Sequence, residues 1–281
     1  MFRYYHALPS RRDAQGREVA AVRGVLASLF GMITAGATHI AVATDHVIES
    51  FRNRLWPGYK TSAGVPRDLL AQFPILEDTL AAAGLVVWPM IELEADDALA
   101  AGAASAARDP RVEQVLICTP DKDLAQCVRG TTVVQLNRRT RKTRDEAGVI
   151  EKFGVPPRSI PDYLALVGDA ADGYPGLPGW GAKSAAAVLS RFGHLEAIPD
   201  DVREWRVDVM QAGTLAATLR RDRERVMLFR ELATLREDVA LFGSVDELQW
   251  QGPTPAFAAV AAALDGKTPS GPPEGGPHGG L

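Results

Sequence analysis

Cysteine is nearly absent from this chain: only Cys118 and Cys127 occur, outside any Cys-x-x-Cys spacing. That argues against a disulfide framework or a zinc ribbon and leaves two free thiols. Long apolar runs are missing as well. The stretch Leu85 to Met90 is far short of the roughly 20 residues that a bilayer-crossing helix needs. The opening Met1-Phe2-Arg3-Tyr4-Tyr5-His6 leads into prolines and charges, without an apolar signal region or a small-residue cleavage site. A cytoplasmic location is therefore expected. Positive charge is not in excess either, since the net charge is −4, the wrong sign for capturing nucleic acid by overall attraction. Any such function must rest on local groupings of charge. Histidine is sparse and scattered, so no Ser-His-Asp or Cys-His arrangement stands out, and His6, His39, His46 and His194 read as structural or surface residues.

What the chain does have is alternation. Apolar residues recur at Val22, Val25, Leu26, Leu29, Phe30 and Ile33, a helical stripe within Arg17 to Ala35. Strands are expected at His39 to Asp45, Leu85 to Met90, Val112 to Cys118 and Thr132 to Leu136, with helices at Pro66 to Ala83, Asp96 to Ala107 and Lys122 to Val128. Strands alternating with helices predict a parallel sheet covered on both faces. The segment Arg52 to Pro66 is basic, aromatic and broken by Pro57, Gly58 and Gly64, which reads as an exposed loop or crossing. After about Val155 the strands stop and a compact helical unit runs to about Arg236. The end, from Thr268 to Leu281, is Gly, Pro and small polar residues, a composition expected to be disordered.

In open α/β sheets, ligands bind beyond the carboxyl ends of the strands. Each predicted strand end here delivers acid: Asp45; then Glu94, Asp96 and Asp97; then Asp121 and Asp123; while Asp169 and Asp172 open the helical unit. Any one group could merely cap a helix N-terminus. Eight carboxylates on one edge would repel more than capping offsets, so cations are expected among them. Oxygen-only ligation points to Mg²⁺ or Mn²⁺. Two such ions about 3.5 to 4 Å apart are the usual clamp for in-line displacement at phosphorus. The chemistry implied is phosphodiester hydrolysis.

Four ordered motifs carry a resemblance. They are Ser50-Phe51-Arg52 with Gly58-Tyr59-Lys60; Glu94-Ala95-Asp96-Asp97; Thr119-Pro120-Asp121-Lys122-Asp123-Leu124; and Gly168-Asp169-Ala170-Ala171-Asp172, leading through Pro175-Gly176-Leu177-Pro178-Gly179-Trp180-Gly181 to Ala182-Lys183-Ser184-Ala185. From about residue 2 to 240 the chain resembles the 5′→3′ exonuclease and flap endonuclease family, which includes the N-terminal nuclease domain of bacterial DNA polymerase I. The resemblance implies a PIN-like parallel sheet flanked by helices over 1–155, with an arch near 50–67. It also implies a helix-three-turn-helix (helix-hairpin-helix-like) domain over 156–240 and a C-terminal extension over 241–281, disordered from about 266.

By the same resemblance Asp45, Glu94 and Asp96 serve one metal, and Asp121, Asp123, Asp169 and Asp172 a second, with Asp97 in or near the shared shell. Arg52 and Lys60 would act on the scissile phosphate, and Tyr59 would stack on a base. Gly176, Gly179 and Gly181 would form a turn that, with Lys183 and Ser184, grips a duplex phosphate, together with a K⁺ ion. The expected partner is DNA with 5′ ends, flaps or branches, bound without regard to base sequence by a monomer. The basic run Arg138, Arg139, Arg141, Lys142 and Arg144 sits where the family has a surface hairpin and reads as a solvated edge or a DNA contact, the former favoured.

Three departures stand out. Family members begin with a strand ending in a metal-binding Asp, whereas Met1 falls just after that point, so a late start or a trimmed sequence is expected. Thr61, Ser62 and Ala63 follow Lys60 where a basic residue is usual, with Arg67 as a substitute, and Gly173 stands where Asn is common. Two alternatives remain open: a catalytically impaired binder of branched DNA, and a PIN-like ribonuclease.

Overall fold

The structure is a computed structural model that describes residues 1–266. The expected disordered tail therefore lies almost wholly outside the described residues. Five strands are described: β1 (Ala41–Asp45), β2 (Val86–Met90), β3 (Val115–Ile117), β4 (Val133–Asn137) and β5 (Lys142–Arg144). The chain forms two compact units, one made of residues 1–46, 63–89 and 246 onward, the other of 47–62 and 90–245.

In the first unit the helix Ala20–Thr34 follows the predicted stripe and buries Val22 and Leu29 against Leu76 and Leu80 of the helix Gln72–Ala82, with Ile40 and Leu85 beside them. No side chain of its own caps the helix start at Val19. Two other residues do so instead: Glu18 Oε1 accepts from the backbone N–H of Ala20 at 2.9 Å, and the fully buried Gln72 Oε1 from those of Ala21 at 3.1 Å and Val22 at 3.4 Å, satisfying donors that every helix N-terminus leaves open. β1 pairs with β2. The segment from 246 to 264 is part of this unit's core and does not hang from it. Trp250 donates its indole N–H to Ala83 O at 2.9 Å, and Phe30 meets the rings of Trp250 and Phe257 edge-on, with centroids 6.3 and 5.6 Å away. Gly84, at φ +75°, is where the chain passes closest: a Cβ there would lie 2.0 Å from Gly252 O.

In the second unit β3 pairs parallel with β4, and β4 antiparallel with β5. The alanine-rich helix Ala95–Ala106 packs Ala100 and Ala103 on Ile117, Leu124 and Val133. A helical portion follows, with Leu164, Leu166, Val188, Leu189, Trp205 and Phe229 in one core. The PIN-like all-parallel sheet is thus not what forms. The described strands fall into two sheets, and the second is mixed because the chain doubles back between β4 and β5. Asn137 Oδ1 accepts the N–H groups of Arg139 and Thr140, and Arg141 takes the left-handed conformation at φ 55°, so a four-residue connection suffices for an antiparallel partner.

Candidate metal centre

The second unit gathers acid at one place. Asp123 opens the 3-10 turn Asp123–Cys127 that follows β3, and Asp169 and Asp172 lie in the loop after the helix Ile160–Val167. That loop closes on itself: Asp169 N–H donates to Tyr174 O at 2.8 Å, and the N–H groups of Gly173 and Tyr174 donate to Asp169 O. Its stem is a crossing of backbones. Gly168 and Gly176 both have positive φ, and a Cβ on Gly176 would stand 2.5 Å from Gly168 N and Leu166 O. One carboxylate oxygen from each of Asp123, Asp169 and Asp172 lies within 4.8 Å of the other two, and all three residues are buried.

Such a grouping needs positive charge, and two lysines supply part of it. Lys60 Nζ bridges Glu94 Oε2 at 2.6 Å and Asp172 Oδ1 at 3.0 Å, and Lys122 Nζ holds Asp169 Oδ2 at 2.7 Å. Burial pulls the Lys60 pKa down, but Glu94 and Asp172 more than reverse it, so the ammonium stays charged. Burial likewise lowers Lys122 while its contact with Asp169 raises it, with a net upward result. Among the described residues Asp123 has no such partner. Burial, and then the charges of Asp172, Asp121 and Asp169, push its carboxyl well above the usual range, and its Oδ1 is buried without any hydrogen bond. Burial also raises Asp172, against the pull of Lys60. One carboxylate oxygen from each of three buried aspartates, with an unsatisfied oxygen on Asp123, makes a site able to coordinate a divalent metal ion, and hard oxygen donors suit a hard cation.

Arg52, expected on the scissile phosphate, is elsewhere engaged. It is 1% exposed, and all five of its N–H donors are taken: Nε by Leu232 O, Nη1 by Glu94 Oε1 and Asp97 Oδ2, Nη2 by Asp97 Oδ1 and Thr234 O. Asp97 is correspondingly full. Besides the arginine fork it accepts the backbone N–H of Glu94 at 3.0 Å and of Arg236 at 2.9 Å. Burial opposes ionisation of Asp97, yet Arg52 and these N–H groups hold its pKa below the ordinary value. Tyr59, expected to stack on a base, is 3% exposed and points its hydroxyl at Glu94 Oε2, 3.4 Å away. These residues are the scaffold under the carboxylates: Arg52 fixes Asp97 and Glu94, and Glu94 also accepts from Ser50 Oγ at 2.7 Å.

The remaining expected residues separate. Asp121, exposed, and Asp96, half-buried, both add negative potential at Asp123. Asp45 ends β1, in the first unit. Gly176 is buried in the crossing and does not face outward; Gly179, at φ +85°, and Gly181 precede the helix Ala182–Phe192. Ser184 caps that helix by exchanging hydrogen bonds with Gly181, and Lys183 is exposed in its first turn. Two contributors escape sequence reasoning. Lys122 lies between Asp121 and Asp123, and that position is its only signal. Trp56, whose indole N–H donates to Gly173 O at 3.0 Å, gives none. Gly173 itself, where Asn is common, meets a close approach: at φ +84°, a Cβ there would be 2.0 Å from Gly58 O.

Fold and site together define a mixed α/β protein with a helical companion and a buried, oxygen-lined centre for a metal ion. Residues 1–154 match the family described as 5′-3′ exonuclease, N-terminal resolvase-like domain, and residues 155–256 match 5′-3′ exonuclease, C-terminal SAM fold. This chain belongs to the 5′-3′ exonuclease family. The resolvase-like description replaces the PIN-like one expected from the sequence. DNA polymerase I of Pseudomonas aeruginosa is 37% identical over 254 residues, covering 88% of this chain but 27% of that protein. The chain thus spans about a quarter of the length of the polymerase relatives. A 5′-3′ exonuclease of Aquifex aeolicus is 35% identical over 203 residues, covering 70% of this chain and 68% of that one. Among solved structures, T5 5′-exonuclease with bound zinc superposes with a TM-score of 0.62 at 19% identity, over 94% of this chain and 95% of that one. The catalytic core of Rad2 in complex with a DNA substrate gives 0.60 at 16% identity, over 95% and 85%. At those identities the likeness concerns the fold.

No helix among the described residues is long and apolar enough to cross a membrane.

Proposed function

We propose that this chain is a cytoplasmic, metal-dependent nuclease that hydrolyses DNA phosphodiesters at 5′ ends and 5′ flaps, choosing its target by shape and not by base sequence. The observation that carries this reading is the buried group Asp123, Asp169 and Asp172, with its unsatisfied oxygen, in a member of the 5′-3′ exonuclease family. Residues 1–155 would form the nuclease portion and 156–240 a helical portion that grips DNA.

Asp123, Asp169 and Asp172 would hold one divalent ion, Mg²⁺ or Mn²⁺, with Asp121, Asp96 and Glu94 disposed toward a second. Ions so bound supply an acidified water and neutralise the leaving oxygen. The protein's own groups position and balance charge. Lys60 and Lys122 hold Glu94, Asp172 and Asp169 in place and offset part of their charge. Arg52 and Asp97 anchor the Glu94 backbone without touching substrate. The Rad2 core, similar in fold, is bound to a DNA substrate, which supports DNA as the polymer.

The test is cleavage of a 5′-flap duplex, beside a blunt duplex and a flap of scrambled sequence, with Mg²⁺ or with chelator. Cutting near the flap junction that needs metal, ignores sequence and disappears in Asp123→Asn is expected. Metal-independent cutting, or undiminished cutting by Asp123→Asn, would overturn the assignment.

A further inference from the structure

The basic run of the β4–β5 hairpin is not absorbed by the metal centre, and the structure places beside it a cavity of about 470 Å³, between the hairpin and the helix Glu146–Phe153. Lys142 and Arg144 enter it from the hairpin, Lys152 from the helix, and Gln135 and Thr119 lie on its lining. Among the described residues none of the three cations forms an ion pair. Arg144 donates from Nη1 to the neutral Gln135 Oε1 at 3.0 Å, and Lys152 lies over the Phe153 ring at 4.7 Å. Glu151 is the single carboxylate on the lining, and among the described residues it too is unpaired. Burial, and then the charge of Arg144, pull Lys152 below the ordinary lysine value, against the opposing pull of Asp121. The cavity is also tied to the metal centre: Gln135 donates from Nε2 to Asp121 O at 2.5 Å while its Oε1 receives Arg144.

We propose that this cavity is an oxyanion pocket that takes a phosphate of the nucleic acid next to the acidic centre, with Lys142, Arg144 and Lys152 as its donors. The inference rests on the nuclease reading for the identity of the polymer, but the pocket's charge and shape stand on their own. A cavity lined by unpaired cations and a neutral amide favours a group with several acceptor oxygens and full negative charge. A phosphate has both. Set beside carboxylates that hold cations, such a pocket would fix where the strand leaves the centre, and so how many nucleotides separate its end from the bond that breaks. It would add affinity without adding preference for any base. The solvated-edge reading of the hairpin explains its charge, but not the inward grouping with Lys152 from a separate helix.

The variant Lys142→Gln/Lys152→Gln tests this, since both side chains are exposed and their loss leaves the core untouched. Affinity for a 5′-flap duplex is measured by fluorescence anisotropy in chelator over a range of salt, with 5′-phosphate and 5′-hydroxyl forms compared. The double variant is expected to bind about tenfold more weakly, with the slope of log K against log salt shallower by about one, as for one lost phosphate contact. With Mg²⁺ the double variant is expected to cut at neighbouring bonds as well, because nothing then fixes the distance from the strand's end to the centre. A loss confined to the 5′-phosphorylated duplex identifies the terminal phosphate as the ligand; an equal loss on both identifies an internal one. Unchanged affinity and slope overturn the pocket. If the natural chain cuts while the double variant binds like it, the pocket fails and the nuclease reading stands; if neither cuts but the double variant binds more weakly, the reverse holds.

Discussion

Arg52 makes its hydrogen bonds wholly inside the protein, and the consequence is measurable. Removing it would leave Asp97 buried without its guanidinium partner, while Glu94 kept only Lys60. Breaking a buried pair from one side typically costs about 3–5 kcal/mol, because the remaining charge is uncompensated. Arg52→Ala is expected to lower stability by that order in urea unfolding, and Arg52→Lys to recover little, since an ammonium cannot reproduce the planar fork to Asp97 Oδ1 and Oδ2. A contact with the scissile phosphate would behave otherwise, weakening DNA binding with stability intact. Asp123 should respond in the opposite sense. Its carboxyl is raised by burial and by like charges, and each unit of such a shift is about 1.4 kcal/mol of strain on the charged form. Asp123→Asn is therefore expected to raise the unfolding temperature in chelator while abolishing metal-dependent cleavage. A variant that is both inactive and less stable in chelator would contradict the electrostatic account of this position.

At the scale of elements the loop from Gly168 to Gly176 holds two of the three clustered aspartates, and it depends on close backbone approaches. Gly173→Ala would force a Cβ to within 2.0 Å of Gly58 O at a φ of +84°. A residue held in such a region costs on the order of 1–3 kcal/mol, and here the clash would also shift the turn that carries Lys60, whose N–H donates to Asp172 O at 3.0 Å. Lower thermal stability and weaker metal affinity are expected together. Gly181→Ala is the control, because nothing lies within 4 Å of a Cβ there, and it should be nearly neutral. The same elements mark what the sequence could reveal. Asp123, Asp169 and Asp172 were legible because acid at strand and helix ends forms a pattern of residue type and position. The role of Arg52 was not: two of its partners are the carbonyls of Leu232 and Thr234, about 180 residues away, and a carbonyl leaves no trace in residue identity. The burial of Tyr59 is hidden for a related reason, since a segment rich in Arg, Lys, Pro and Gly reads as exposed even when one of its aromatics is buried. β5 shows only through the resemblance to a surface hairpin, because Lys142-Thr143-Arg144 has none of the apolar alternation that announces a strand.

For the molecule as a whole, metal binding and stability should be one phenomenon. Any ligand that binds only the folded state stabilises it, by about 2.7 kcal/mol at a hundredfold excess over its dissociation constant. The dependence on pH follows from the sign of each shift. Asp123 and Asp172 have raised pKa values, so between the ordinary carboxylate range and those raised values the metal-free native state binds more protons than the unfolded chain. Stability then falls as pH rises through that window. Asp97 has a lowered pKa, so its contribution is present above the ordinary carboxylate range and is lost only as pH drops below it. The metal-free protein should accordingly be most stable in the mildly acidic region, destabilised on the acid side as Asp97 is protonated and on the other as Asp123 and Asp172 ionise. Mg²⁺ should remove the second decline alone, because a cation replaces the protons those carboxyls would otherwise retain. Unfolding curves from acid to neutral pH, with Mg²⁺ and with chelator, decide the matter: the two should converge in acid and separate toward neutrality, and in Asp123→Asn the chelator curve should flatten and the separation shrink. Parallel curves across the whole range would mean that the metal binds somewhere other than at these aspartates.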